Sequence, residues 1–429
     1  MLAAGDIVPL TIDKPAAGGR MIARAGRLVV LVSGAIPGEA VRARIERLGK
    51  GVAYAAALDI ETASPDRRDP AGDPMCGGCL YAHIAYPRQL ELKAQVISDA
   101  FARIGQLRLP DIVRVAPSRE DGYRMRARLH VRDRLVGFFR EGTHEVCDAR
   151  QTRQLLPATL DAVDRLVAAL DSLRLEGVRE IEIAENAEAS QRAVHIDAPG
   201  LDARSLEQLG AIDGLTGLSS PAGSRGDVRV TDTIVVDGRE PVLLRRHVLA
   251  FFQGNRYLIN QLVGYVVNAV PTGTDVVDLY AGVGLFSITA AATRGVRVTA
   301  VEGDRIAASD LTANAEQTDG ALRSFHQSVE EFVGNVRLQA ARDRPRPTVI
   351  VDPPRIGMSR EALDGLCRLN APRIVYVSCD VATLARDARR LVDGGYLVSR
   401  VDGFDLFPNT PHVETVAVFD RSSHRERFR

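Results

Sequence analysis

Residues 274–286 read Thr-Asp-Val-Val-Asp-Leu-Tyr-Ala-Gly-Val-Gly-Leu-Phe: an apolar run, a glycine turn and the start of a second apolar segment. This order predicts a strand, a tight turn at its carboxyl end and a helix. Gly282 and Gly284 let the backbone approach a ligand closely where the chain leaves the edge of a sheet. Three further apolar runs follow at helix-length intervals: 296–301, ending at Glu302; 348–351, ending at Asp352; and 374–377, ending at Ser378 and Cys379. A last run, 415–419, closes the series. Strands separated by helices predict an α/β domain with a mostly parallel, Rossmann-like sheet. Ligands of such sheets sit at the carboxyl edge, where these runs end.

Spacing narrows the ligand. Glu302 stands twenty residues after Gly282, where an acid meets ribose hydroxyls; the competing reading is a helix N-cap. A dinucleotide fingerprint asks for a third small residue three positions after the second glycine. Ser287 stands there, which leaves a nicotinamide site open. Asp278 near the strand's end, the acidic turn and the Glu302 spacing fit S-adenosylmethionine better. In Asp352-Pro-Pro-Arg355 two prolines remove backbone donors and stiffen the exit from the sheet, which holds the carboxylate beside the cofactor. Such turns also occur in enzymes that methylate exocyclic amines, so amine methylation is the rival chemistry.

Cys379 separates the two. A free cysteine is mostly a small hydrophobe, as Cys367 is expected to be, but Cys379 leaves a strand at the cofactor edge. An amine attacks a methyl sulfonium with its own lone pair and needs no thiol. Carbon 5 of a pyrimidine does need one. A thiolate adds to carbon 6, carbon 5 takes the methyl group, and a base removes the carbon 5 proton so that the thiol is eliminated. With an ordinary pKa of about 8.5 a thiol is only slightly ionised at neutrality, so the helix after Cys379 is expected to lower it. The candidate base is Glu414 in Phe407-Pro-Asn-Thr-Pro-His-Val-Glu414, with His412 as the alternative.

The chain has 429 residues, 45% hydrophobic and 26% charged, with zero formal net charge. The length predicts several domains, and the charge gives no global argument for nucleic acid. Local signals do. Residues 1–60 alternate like the strands of a small β-barrel and lean basic. Residues 119–140 carry seven arginines against three acids, interleaved with Tyr123, His130, Phe138 and Phe139, a pattern that suits phosphate contact and base stacking. A solvated strand face is the plain alternative. The expected division is a barrel over 1–60, a central RNA-binding domain over 61–250 and a catalytic domain over 251–429. No run approaches a membrane span and no signal peptide is visible at the start, so a cytoplasmic monomer without membrane contact is expected. Five cysteines with one close pair make no disulfide framework.

Together these motifs resemble the RNA 5-methyluridine (uracil-C5) methyltransferases. Phe251-Phe-Gln-Gly-Asn255 resembles the family's F-x-Q-x-N element, which implies cofactor contact by Gln253; the resemblance places Tyr280, Gly282, Glu302 and Asp352 on the other S-adenosylmethionine positions. It implies Cys379 as the nucleophile and Glu414 as the base. The barrel is similar to the TRAM domain of the rRNA branch, which implies 23S rRNA as partner ahead of tRNA, with a target uridine flipped out of its stack. An amine methyltransferase and a non-catalytic RNA-binding protein are the remaining alternatives. Family members with a CGGC element commonly hold a [4Fe-4S] cluster on four cysteines. Cys76 and Cys79 match, whereas Pro70 and Thr152 occupy the other two positions and Cys147 lies out of register. No conventional cluster, and no metal, is therefore expected; a metal site assisted by Cys147 is the lesser alternative.

Overall fold

The computed structural model describes residues 2–70, 72–132, 135–175, 177–198, 200–209, 211–335 and 346–422. Apolar and polar residues alternate through the first sixty positions, and the result is a closed barrel. Strands β1 (Ile7–Pro15), β2 (Met21–Ala25), β3 (Leu28–Ser33), β4 (Ala40–Gly49) and β5 (Val52–Thr62) pair in the order β1-β2-β3-β5-β4, and β4 returns to β1. Every second side chain, among them Leu10, Ile12, Val30, Val41 and Ala53, points into the core.

Helix α1 (Tyr86–Arg103) begins with Pro87 in its first turn, where a missing N–H costs nothing. Its Leu92 packs into the barrel core. Ile97, Ala100 and Phe101 pack instead against Leu384, Ala385 and Ala388 of the helix that follows Cys379. The short strand β6 (Val115–Ala116) likewise joins the edge of the catalytic sheet.

The central sheet contains β7 (Arg126–Arg132), β8 (Leu135–Phe139), β9 (Val146–Asp148), β10 (Glu180–Glu185), β11 (Arg192–Asp197), β12 (Gly217–Ser220) and β13 (Gly223–Gly226), ordered β13-β12-β11-β10-β7-β8-β9. Helices α2 (Ala149–Thr152), α3 (Pro157–Ser172) and α4 (Ala203–Gln208) accompany it. Leu160, Val163 and Leu166 of α3 cover one face, against Leu129, Ile181 and Ile183. On the opposite face Arg126 and Arg128 both donate to Glu182, at 3.2 and 2.9 Å. Arg124 precedes the strand and donates to Gln154 Oε1 at 2.6 Å. Asp133 and Arg134 of the arginine-rich stretch lie outside the described residues.

The hairpin β14 (Arg229–Ile234) and β15 (Val242–His247) sends Ile234, Val242 and Leu244 into the catalytic core. There follow α5 (Ile259–Asn268), β16 (Val276–Leu279), α6 (Leu285–Arg294), β17 (Val298–Glu302), α7 (Arg305–Ala315), β18 (Leu322–His326), α8 (Val329–Asn335), β19 (Thr348–Val351), α9 (Arg360–Leu369), β20 (Arg373–Ser378), α10 (Val381–Asp393), β21 (Tyr396–Phe404) and β22 (Glu414–Arg421). The sheet order is β18-β17-β16-β19-β20-β22-β21-β6, parallel from β18 to β20. The order reverses beside β16, the place where such sheets open a crevice for ligands.

Elements within 61–250 bridge the three parts: α1 places Leu92 in the barrel core and Ile97 and Phe101 with the catalytic sheet, and the β14–β15 hairpin places Ile234, Val242 and Leu244 in the catalytic core while Val230 packs with Ala184 and Ala193 of the central sheet.

Candidate active site

Register brings the motifs to one edge. Leu279 pairs with Val301 and Val351, so Tyr280, Glu302 and Asp352 leave their strands side by side. Strand β22 runs antiparallel to β20 with Thr415 opposite Ser378. Its first residue, Glu414, therefore enters at the edge where Cys379 exits.

Tyr280 takes φ +62°, a left-handed conformation that costs an L-residue about 1–2 kcal/mol and persists only where its surroundings impose it. Gly282, at φ +57°, has nothing within 4 Å of where a Cβ would stand, so the space against this turn is open. Gly284 differs: at φ +100°, a Cβ there would lie 2.4 Å from Ile288 Cγ1, and packing excludes any side chain. Glu302 Oε2 accepts the Gly282 N–H at 2.7 Å, and Oε1 accepts that of Asp304 at 2.6 Å. Asp304 is the residue that caps α7, accepting from Ile306 and Ala307. The N-cap reading of Glu302 is thereby removed.

Four carboxyl groups crowd this edge. Asp278 is fully buried, and neither of its oxygens makes a hydrogen bond of ordinary geometry. Burial raises its pKa to about 8, which nearby Ser287 only partly offsets. Burial also raises the Asp352 carboxyl, to about 7, although Gln253 Nε2 donates to its Oδ2 at 3.2 Å. Burial together with the Asp352 charge holds Glu414 well above the usual carboxylate range. Glu414 Oε1 has no hydrogen-bond partner among the described residues. An orphaned buried carboxylate beside an open glycine turn fits a cationic ligand with a ribose, and S-adenosylmethionine has both features. The residues that would hold it are Gln253, Tyr280, Gly282, Glu302 and Asp352.

The Cys379 thiol is pushed up to about 11 by burial first, then by the charges of Glu414 and Asp352, while Arg355 lies against it and lowers it. Asp380 caps α10 by accepting from Thr383 N–H at 2.8 Å. His412, the alternative base, is lowered to about 4 by burial and by Arg355. It is neutral at pH 7, and Glu414 is the stronger base.

The loop that delivers Glu414 is pinned from outside the catalytic sheet, by contacts that no spacing in the sequence signals. Lys93 of α1 donates to Asp405 Oδ1 at 2.5 Å and to the Phe407 carbonyl at 3.1 Å. Gln89 exchanges hydrogen bonds with Asn409 at 2.9 and 3.0 Å. Asn255, two residues after Gln253, donates to the Leu406 carbonyl at 3.1 Å. Arg355 is legible in the sequence only as the end of its turn; its charge favours the ionised forms of both Cys379 and Glu414, which makes it part of the site.

The cysteine cluster is elsewhere and takes another form. Cys76 is bonded to Cys147, with Cα atoms 5.8 Å apart. Cys79 is buried and free, and Thr152 Oγ1 donates to the Ala149 carbonyl at 2.7 Å. Cys147, out of register in the sequence, thus closes a disulfide and does not assist a metal site. Among the described residues no group of three or more His, Cys, Asp or Glu side chains could hold a metal, and these residues do not fit a four-thiolate cluster.

A sheet of this order with an acid-rich, open carboxyl edge defines a Rossmann-like methyltransferase. Residues 226–422 match the family described as tRNA (Uracil-5-)-methyltransferase. The 23S rRNA (uracil(1939)-C(5))-methyltransferase RlmD of Alkalilimnicola ehrlichii is 32% identical over 94% of each chain, and that of Methylococcus capsulatus is 31% identical over 96% of each. The solved tRNA (uracil-54, C5)-methyltransferase of Pyrococcus abyssi, in complex with S-adenosyl-L-homocysteine, has a TM-score of 0.74 at 24% identity, covering 96% of this chain and 99% of that one. That last likeness speaks to the fold. The chain belongs to the S-adenosylmethionine-dependent RNA (uracil-C5) methyltransferase family.

Proposed function

We propose that the protein methylates carbon 5 of a uridine in 23S rRNA through a covalent bond between Cys379 and carbon 6 of the base. The observation that carries this reading is the pairing of β20 with β22, which sets a thiol and an unpartnered buried carboxyl at one ligand edge. Neither group serves an amine methyltransferase, and a binding protein needs no such pair.

The chemistry follows from the residues. Arg355 beside Cys379 favours the thiolate, which adds to carbon 6 and makes carbon 5 nucleophilic. S-adenosylmethionine, when bound, supplies the methyl group. Glu414 then takes the carbon 5 proton, and the thiolate leaves. Its raised pKa suits it to that step, since a carboxylate held above its usual range is a stronger base.

Preference for 23S rRNA over tRNA rests on the relatives named for 23S rRNA that match over 94% and 96% of the chain. In this reading the barrel is a TRAM-like RNA-binding module and the arginine-bearing face of the central sheet is a second contact. The test is transfer of labelled methyl from S-adenosylmethionine to 23S rRNA and to tRNA by wild type and Cys379→Ala. Transfer to 23S rRNA by wild type alone is expected; undiminished transfer by Cys379→Ala contradicts the covalent route.

A further inference from the structure

The turn after Asp352-Pro-Pro carries an apolar side chain for which the fold has no use. Ile356 is 77% exposed, yet its backbone is firmly held. Gly357 takes φ +76° and donates to the Pro354 carbonyl at 2.8 Å. From α10, Thr383 Oγ1 donates to the Arg355 carbonyl at 3.2 Å and Arg386 Nη2 to the Ile356 carbonyl at 3.1 Å. Met358 N–H donates to Asp387 Oδ2 at 3.0 Å. The backbone is thus fixed on both sides of the isoleucine, whose side chain is presented outward by a rigid turn.

The place matters as much as the exposure. Arg355, the preceding residue, lies against the Cys379 thiol. Asp352, at the start of the same turn, meets Gln253. Ile356 therefore stands at the mouth of the active site on the side of the nucleophile. A uridine attacked at carbon 6 has to leave its stack, and its departure leaves a gap walled by the apolar faces of the neighbouring bases. Apolar side chains that enter base steps hold such gaps open.

We propose that Ile356 is a positioning residue that enters the RNA base stack in the place vacated by the target uridine. This rests on the preceding reading, in which the substrate is a flipped uridine attacked by Cys379. A branched, conformationally stiff side chain on a fixed turn suits the role, because little freedom is lost when it is gripped between two bases.

The test compares wild type, Ile356→Ala and Ile356→Leu on two RNAs of one sequence. In the first the target uridine is stacked between its neighbours; in the second the two flanking nucleotides are abasic, so no gap has to be filled. Ile356→Ala is expected to lower kcat/KM about tenfold or more on the stacked RNA and to stay within about twofold of wild type on the abasic one, with Ile356→Leu close to wild type on both. A 2-aminopurine next to the target should brighten on binding wild type and stay dim with Ile356→Ala. Equal losses on both RNAs, or no loss on either, overturn the proposal and leave the covalent reading standing. Wild type that transfers no methyl to either RNA overturns both.

Discussion

At the scale of single residues, the site is a balance between one thiol and the carboxyls around it. Cys379 is held at about 11 by burial and by Glu414 and Asp352, with Arg355 opposing. The thiolate is the reactive form, so below that pKa its fraction rises tenfold with each pH unit. Single-turnover methyl transfer is therefore expected to accelerate steeply between pH 7 and 9; a flat profile would mean that the thiolate is already formed. The two glycines of the turn make a second pair of predictions. Gly282→Ala meets no atom within 4 Å, so its cost to the fold is only the about 1–2 kcal/mol of a left-handed alanine, while its methyl group projects into the ligand space. Gly284→Ala meets Ile288 at 2.4 Å and Leu311 at 2.9 Å, an overpacking that adds about 1–3 kcal/mol. Urea unfolding and S-adenosylmethionine titration should show Gly282→Ala losing mainly cofactor affinity and Gly284→Ala losing mainly stability.

At the scale of elements, the strands carrying the chemistry were legible and their supports were not. The runs ending at Leu279, Glu302, Asp352 and Cys379 are short, apolar and bounded by turn residues, and buried parallel strands need that pattern. Four of the five barrel strands follow from alternation in the same way. The fifth, β2, escapes because its five residues include Arg24 and follow the glycine pair at 18–19. Nothing in the spacing of α1 tells that Gln89 and Lys93 face inward to grip the loop of Glu414. Such a contact depends on partners about 310 to 320 residues away. Lys93 and Asp405 are both essentially buried, and removing one partner of a buried pair leaves an uncompensated charge at a cost of about 3–5 kcal/mol. Lys93→Met should lower the unfolding free energy measured in urea by that much, and Lys93→Met with Asp405→Leu should recover most of it. Equal losses in the single and double variants would show that packing and not charge decides.

At the scale of the whole molecule, zero net charge means that RNA affinity has to come from where the charges are. On the face of the central sheet opposite α3, Arg126 and Arg128 share Glu182, which neutralises part of the field they would offer a phosphate backbone. Glu182→Gln is expected to tighten RNA binding several-fold and to steepen its decline with salt, as each freed arginine releases further counterions. An unchanged salt slope would take this face out of the RNA contact. Helix α1 has the same logic of placement: it packs Leu92 into the barrel core, Ile97 and Phe101 against the catalytic sheet and Lys93 against Asp405, so the barrel and the loop of Glu414 share one support. The covalent route remains the central claim, and one measurement addresses it most directly. Glu414→Gln incubated with target RNA and S-adenosylmethionine should accumulate a stable protein–RNA adduct, and mass spectrometry of its peptides should place the methylated uridine on Cys379. An adduct on another residue, or full turnover with no adduct, would contradict the account.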